Sequence, residues 1–460
     1  MIYFLPFFLS LVLYLIAPKD YSYVFNIIIL VLYVLDFFVL IKKEKIKPLS
    51  YPSLFFLVYF FVNFAYPVFI YPLDPTYILQ FRYSFSSDYI NVGSALSLVA
   101  FTIFILGYSQ RKRYGKKIFE EQHCILNTKY YLIFTILSVL VLVYNLILIV
   151  PQIGINYADA KVPFQTGSLF VMLESTLSFL LCHNNKVKIK GNTKNFFLIL
   201  GLHILLSSVF AFGCLLLGSR EYVLTLVLLF AILYSLYVKP VNAVKLISGI
   251  LIGIVVFYSI SQIRNDDHIT NSKELFEIKP WQNGQVSGVW NLATDLIINN
   301  RNLYVGMQYA DDPRHGYSYG YNYIPYLLSP IPFLPSIFTK YVLGTTVVDL
   351  TSQQILTNYT RDDLGESSLD YELGSNCTVD VYMAFGVIGV IIIFYCLGLF
   401  IRYLESTMDY NAKAACVYIV LFTGVVFFCR SSFLGPLQNV VWSYWVCCLC
   451  LKKIGPQRNG

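Results

Sequence analysis

The sequence predicts an all-α polytopic membrane protein with about twelve transmembrane helices. Hydrophobic residues make up 57% of the chain against 13% charged, the mean hydropathy is +0.63, and apolar runs of near-spanning length recur between short polar gaps. Soluble domains carry roughly a quarter charged residues, so an ordinary water-facing domain is excluded. With charges this sparse, the net charge of +7 is a question of where the cations sit. It is not a nucleic-acid footprint.

The runs fall at 2–17, 21–41, 51–70, 90–109, 129–150, 166–182, 196–217, 222–238, 243–263, 381–401, 413–429 and 437–451. Each is near the roughly twenty residues that cross a hydrocarbon core. The first lacks the basic start of a cleavable signal, and the APKD behind it turns into the second. Basic residues then set the orientation. KKEKIK follows the second run, RKRYGKK the fourth, NKVKIK the sixth, Lys239 the eighth, Arg402 the tenth and KK the twelfth. Of the 33 Lys and Arg residues, 21 fall on that even-numbered side and 12 on the other, which predicts cytoplasmic termini. Taken as one helix, 196–238 would be roughly 65 Å long, about twice the bilayer core. It must turn, and Gly218-Ser219-Arg220-Glu221 is where a glycine permits it.

The domain organisation is therefore a bundle over 1–263, a large external loop over 264–376 and a second part of the bundle over 377–460. In the loop, Val286, Val289, Trp290, Ala293 and Ile297 recur at helical spacing and predict a helix over 284–300. Asp349 is the expected cap of another in LTSQQILTNY. Between them, GYSYGYNYIPYLLSPIPFLP is too rich in Pro and turn residues for a regular spanning helix. Of the ten cysteines, only Cys377 is placed outside the spans and cytoplasmic loops, so a disulfide framework is not expected. Neither an HExxH nor a P-loop pattern occurs in the sequence. No metal or cofactor is predicted, and the energy for any reaction must reside in the substrate.

The outward side holds the reactive residue types. Arg220, Arg264, Arg301 and Arg430, with Arg314 and Arg361, carry guanidinium forks whose paired donors suit phosphate oxygens. Two or three together would hold a pyrophosphate; singly, each is equally an arginine facing lipid headgroups. Arg430, in FFCRSSFLGP, repeats the pattern of Arg220, an arginine at the start of a polar turn between two spans. A hydroxyl that attacks an activated sugar needs a base, and Asp380, Glu372 and His315 are the candidates. Most other loop acids are expected to be solvated. Tyr319 and Tyr321 belong to a tyrosine strip that can stack on sugar rings or line the membrane interface. The main polar groups inside the spans are Asp36, Asn63, Asn145, Glu174 and His203.

The span layout, the Gly218-Ser219-Arg220 turn and GSNCTVDVYMAFGVIGV at the entry to the tenth span together resemble the bacterial O-antigen polymerase (Wzy) family. Related polymerases and ligases often carry His-Asn ahead of an aromatic-Gly-x-x-Gly pattern. Here Asn376, Phe385, Gly386 and Gly389 match, while Ser375 occupies the histidine position. No histidine base is therefore carried over, and the base stays open between Asp380, Glu372 and His315. The resemblance implies a GT-C-like membrane glycosyltransferase bundle in the bacterial cytoplasmic membrane. It implies polymerisation of undecaprenyl-pyrophosphate-linked oligosaccharide repeat units on the outer side, without a cofactor. Pyrophosphate would be held by Arg220, Arg264, Arg301 and Arg430, and glycan by Asn376, Tyr319 and Tyr321. Membrane lipid and a polysaccharide chain-length regulator are the implied partners. The competing readings are a lipid-linked oligosaccharide flippase and an O-antigen ligase-type transferase. A flippase has little use for so long an external loop, and a ligase would be expected to keep the histidine.

Overall fold

The computed structural model describes residues 3–110, 124–152, 164–217, 219–242, 293–367 and 371–453, with isolated positions between 244 and 290 and at Leu369. Most of the ninth predicted span (243–263), Arg264 and the first part of the helix predicted over 284–300 lie outside the described residues. The other eleven apolar runs are all helical. They form α1 (Phe4–Leu15), α2 (Tyr23–Glu44), α3 (Tyr51–Asn63), α4 (Tyr89–Tyr108), α5 (Thr128–Ile149), α6 (Phe164–Asn184), α7 (Thr193–Leu216) and α8 (Glu221–Tyr237). After the loop, the bundle resumes with α13 (Cys377–Thr407), α14 (Ala412–Thr423) and α15 (Leu437–Cys450). The loop supplies α9 (Asn299–Asp311), α10 (Ile324–Leu328), α11 (Leu334–Phe338) and α12 (Ser352–Asn358). Among the described residues, six helices are long and apolar enough to cross a membrane, and the protein is a multi-pass membrane protein.

Local sequence explains the boundaries. Ser22 caps α2 by accepting from Phe25 N, and Asn192 caps α7 by accepting from Asn195 N. α3 gives way to a π-turn, Tyr66–Ile70, that contains Pro67, which has no N–H to continue the ladder. The long apolar run breaks where predicted: α7 ends at Leu216, and Arg220 is the N-cap residue of α8. One expectation needs correcting. The helix after Asp349 starts at Ser352 and is capped by Thr351, whose side chain accepts from Gln354 N. Asp349 instead turns back to Thr346 Oγ1 at 2.6 Å, because it lies too far ahead of the first helical residue to reach its free N–H groups.

α4 is the hub of the bundle, with all its residues from Gly93 to Tyr108 buried. Lipid supplies no hydrophobic force between helices, so close packing of small residues does the joining. At the α4–α13 crossing, a side chain on Gly107 would strike the Tyr395 carbonyl, and one on Gly398 the Phe104 carbonyl. An aromatic cluster fills the neighbouring space, with Phe37 stacked on Phe56 at 3.8 Å and Tyr33 tilted against Phe101 at 4.3 Å. A second, polar junction joins α5, α6 and α7. Glu174 accepts from Ser138 Oγ at 2.6 Å and meets His203 Nδ1 at 2.9 Å, and His203 Nε2 meets Tyr131 Oη at 2.6 Å. Finally, Cys124–Leu126 (β1) and Leu451–Lys453 (β2) pair antiparallel, tying the chain just before α5 to the end of α15.

Candidate functional site

The site is built over the first three turns of α13. Asn376 caps this helix: its Oδ1 accepts from Thr378 N at 2.9 Å, and its Nδ2 donates to Asn63 Oδ1 at 2.9 Å. Asn63 in turn accepts from Ser97 Oγ at 3.0 Å. The residue that resembles a glycan contact in the sequence is thus fully buried, locking α13 to α3 and α4. Beside it, Ser375 Oγ is buried with no hydrogen-bond partner.

One turn further, Asp380 is also fully buried. Its Oδ2 accepts from Ser432 Oγ at 2.9 Å and from Phe433 N at 2.8 Å, and its Oδ1 from Asn322 Nδ2 at 3.0 Å. The carboxylate therefore pins two segments to α13, the tyrosine strip of the loop and the turn that follows Arg430. A buried carboxylate needs such donors. Glu372, by contrast, is exposed on the segment leading to the helix.

α13 bends at Gly386, whose φ of 65° and ψ of −162° lie in a region that side chains avoid. The strip packs into this bend. Tyr317 covers Gly386, and Gly320 sits against the Phe385 ring. The aromatic-Gly-x-x-Gly pattern is therefore a kink with a docking seat for the loop. Tyr319, held at φ 48°, and Tyr321 project outward, Tyr319 with 78% of its surface exposed.

His315 lies at the edge of this platform. Its ring stacks on Tyr309 at 4.5 Å and meets the edge of Tyr359 at 5.3 Å, leaving the side chain a quarter exposed. Its Nε2 is 3.5 Å from Asp363 Oδ2, and the other Asp363 oxygen takes Arg314 Nη1 at 3.0 Å. Arg314 also grips Asp312, Nη2 to Oδ2 at 2.6 Å, and this holds the Asp312 carboxyl down at about 2. Three residues before Arg314 on the same arm, Asp311 accepts from Tyr382 Oη at 2.8 Å. Burial raises its carboxyl above the usual range. The result is an imidazole oriented by a carboxylate at a partly open surface, the arrangement a general base requires.

The arginines divide. Arg220 pairs with Asp295 at 3.0 Å, both partly exposed. Arg430 is half-buried over the Phe427 ring at 5.0 Å and is an electrostatic neighbour of Glu221. The two arginine turns read from the sequence are therefore adjacent, next to Gly374, which packs near the Arg430 carbonyl. Among the described residues, Arg430 has no carboxylate at ion-pairing distance. Arg301 is fully buried, with Nη2 on the Ser84 carbonyl at 2.8 Å and Nη1 at 3.4 Å from Thr360 Oγ1. Burial pushes its guanidinium down to about 10. It ties α9 to the α3–α4 connection, away from any open face. Arg361 is engaged by Asp362 and Asn358. Sequence reasoning missed Asp363 and Asn322, which no spacing linked to His315 or Asp380.

Fold and site define a helical membrane protein with a polar, arginine-bearing site formed where one large loop covers the start of a kinked helix. A family model described as O-antigen polysaccharide polymerase Wzy matches residues 1–454. The chain belongs to this family, which makes it an enzyme of polysaccharide biosynthesis of the polymerase kind that acts on lipid-linked oligosaccharide repeat units. No curated protein and no solved structure matches the chain.

Proposed function

We propose that the protein polymerises oligosaccharide repeat units carried on undecaprenyl pyrophosphate, at the outer side of a bacterial cytoplasmic membrane, with both termini cytoplasmic. The observation that carries this reading is the family match along 1–454. The growing glycan leaves its carrier and joins the nonreducing end of a new lipid-linked unit. The acceptor oxygen bonds to the anomeric carbon as the bond to the carrier pyrophosphate breaks. The acceptor proton passes to His315, and the released electron pair stays on the pyrophosphate.

His315 is the preferred base of the three because it alone combines partial exposure with an orienting carboxylate. With Nε2–H toward Asp363, Nδ1 is left to take the proton. Glu372 is the reserve candidate. Asp380 is better suited to holding the platform, since its oxygens already accept from three donors. Arg430 and Arg220, with Arg264 from the sequence, would stabilise charge on the departing pyrophosphate, the kind of contribution that is usually largest. Arg301 would act by holding the loop in place. Tyr319 and Tyr321 would stack on the acceptor glycan, with Asn376 acting from beneath through the helix it caps. A chain-length regulator is the proposed protein partner.

Deleting the gene and running the surface polysaccharide on a gel tests the reading. Collapse of the ladder to a core bearing a single repeat unit is expected. Complete loss of substituted core would replace the polymerase with a flippase or a ligase.

A further inference from the structure

Between His315 and Asp349, Lys340 is the single charged side chain, although this stretch belongs to an otherwise polar loop. Its middle, 324–343, folds as α10 and α11 with a π-turn, Thr339–Leu343, behind them. The large apolar side chains of this hairpin face outward from the protein, Phe333 with 81% and Tyr341 with 75% of their surfaces exposed. An aqueous loop that exposed such residues in succession would be costly.

Two anchors set the depth of the hairpin. Trp442, five residues past the start of α15, donates its indole N–H to the Pro330 carbonyl at 2.8 Å. Just ahead of the hairpin, the Tyr323 ring packs 6.1 Å from that of Phe385, eight residues past the start of α13. At roughly 1.5 Å per residue, these contacts lie about 8 and 12 Å below the outer ends of the two helices. The neighbouring α13 residues Ile388 and Ile392 are exposed as well, so the apolar face of the hairpin continues that of a membrane-crossing helix.

The backbone suits hydrocarbon. Unpaired N–H groups are what keep irregular chain out of lipid, and Pro325, Pro330, Pro332 and Pro335 have none. Ile331, Leu334 and Ile337 donate their N–H groups to Leu328, Ile331 and Phe333 carbonyls at 3.0 to 3.2 Å. The Ser329 and Thr339 hydroxyls turn back to the Tyr326 and Pro335 carbonyls at 2.7 and 2.8 Å. The lone Lys340 lies beside the Tyr341 ring at 5.5 Å, on a stem long enough to carry its charge to the headgroups.

We propose that residues 324–343 form a re-entrant hairpin embedded among the acyl chains of the leaflet on the loop side. This assignment rests on the polymerase reading only in placing that leaflet outside. It makes part of the external loop a wall of the membrane bundle beside the kinked start of α13. Purified Phe333→Trp, Tyr341→Trp and Asp362→Trp proteins in vesicles test it, with the fluorescence gained over the parent protein quenched by acyl-brominated phosphatidylcholine or by acrylamide. Brominated lipid should quench the added Trp at 333 and 341 at least threefold more than at 362, and acrylamide should show the reverse order. Acrylamide quenching at 333 and 341 equal to that at 362 would overturn the proposal in favour of an aqueous loop. Protection from both quenchers would overturn it in favour of a protein cover. The readout needs no polymerase activity, so a failed gene-deletion test would leave it standing.

Discussion

At the residue scale, the site separates groups that do chemistry from groups that hold it. Asp380 and His315 stand alike as base candidates in the sequence, yet one is sealed beneath three donors and the other sits in a half-open aromatic slot. Their variants should differ accordingly. His315→Ala is expected to reduce polymer formation by roughly 10²–10⁴-fold while leaving the melting temperature in detergent close to the parent's. A normal ladder from that variant would transfer the base role to Glu372. Asp380→Asn places an amide N–H₂ against existing donors and should lower both activity and stability, the latter by about 1–3 kcal/mol. Asp312 supplies a pH control. Its depressed carboxyl contributes above its ordinary range near 4 and loses that contribution only as pH falls towards 2. Asp312→Asn should therefore lower stability by the same amount throughout pH 5 to 8, and a loss that varies across that window would contradict this.

At the element scale, the helices were legible because the apolar runs are long and their caps and breaks are local. The Arg220 turn marks a break that the structure keeps, and Ser22, Asn192 and Asn376 cap their helices through contacts only two or three residues long. The kink of α13 was legible only as a motif, since the packing of Tyr317 and Gly320 against it comes from a segment more than sixty residues earlier in the chain. Likewise Asn322 and Asp363 acquire their roles through contacts that no sequence spacing encodes. Glycine variants test the packing argument. Gly107→Leu and Gly398→Leu should sharply reduce folded protein in the membrane, because backbone carbonyls occupy the needed space. Gly201→Leu, on a face of α7 with nothing within 4 Å, should be neutral. The buried Glu174–His203 contact should show a coupling of about 0.5–2 kcal/mol in a double-mutant cycle on unfolding, in the range of polar contacts between membrane helices.

At the scale of the whole molecule, the chain divides its polar content between two tasks. Buried asparagines, serines and carboxylates at the crossings of α3, α4 and α13 fasten the bundle, and the arginine turns together with the His315 arm face the loop side. The small sheet joining β1 to β2 adds a parity rule. Its two strands hydrogen-bond directly, so Cys124–Leu126 and Leu451–Lys453 share one face of the membrane, and the chain must cross it an even number of times between them. A reporter placed ahead of Cys124 and another placed after Lys453 must give the same signal, whichever side that is. Any topology map in which the two disagree contains a miscounted crossing, and that error can be recognised without reference to hydropathy or charge.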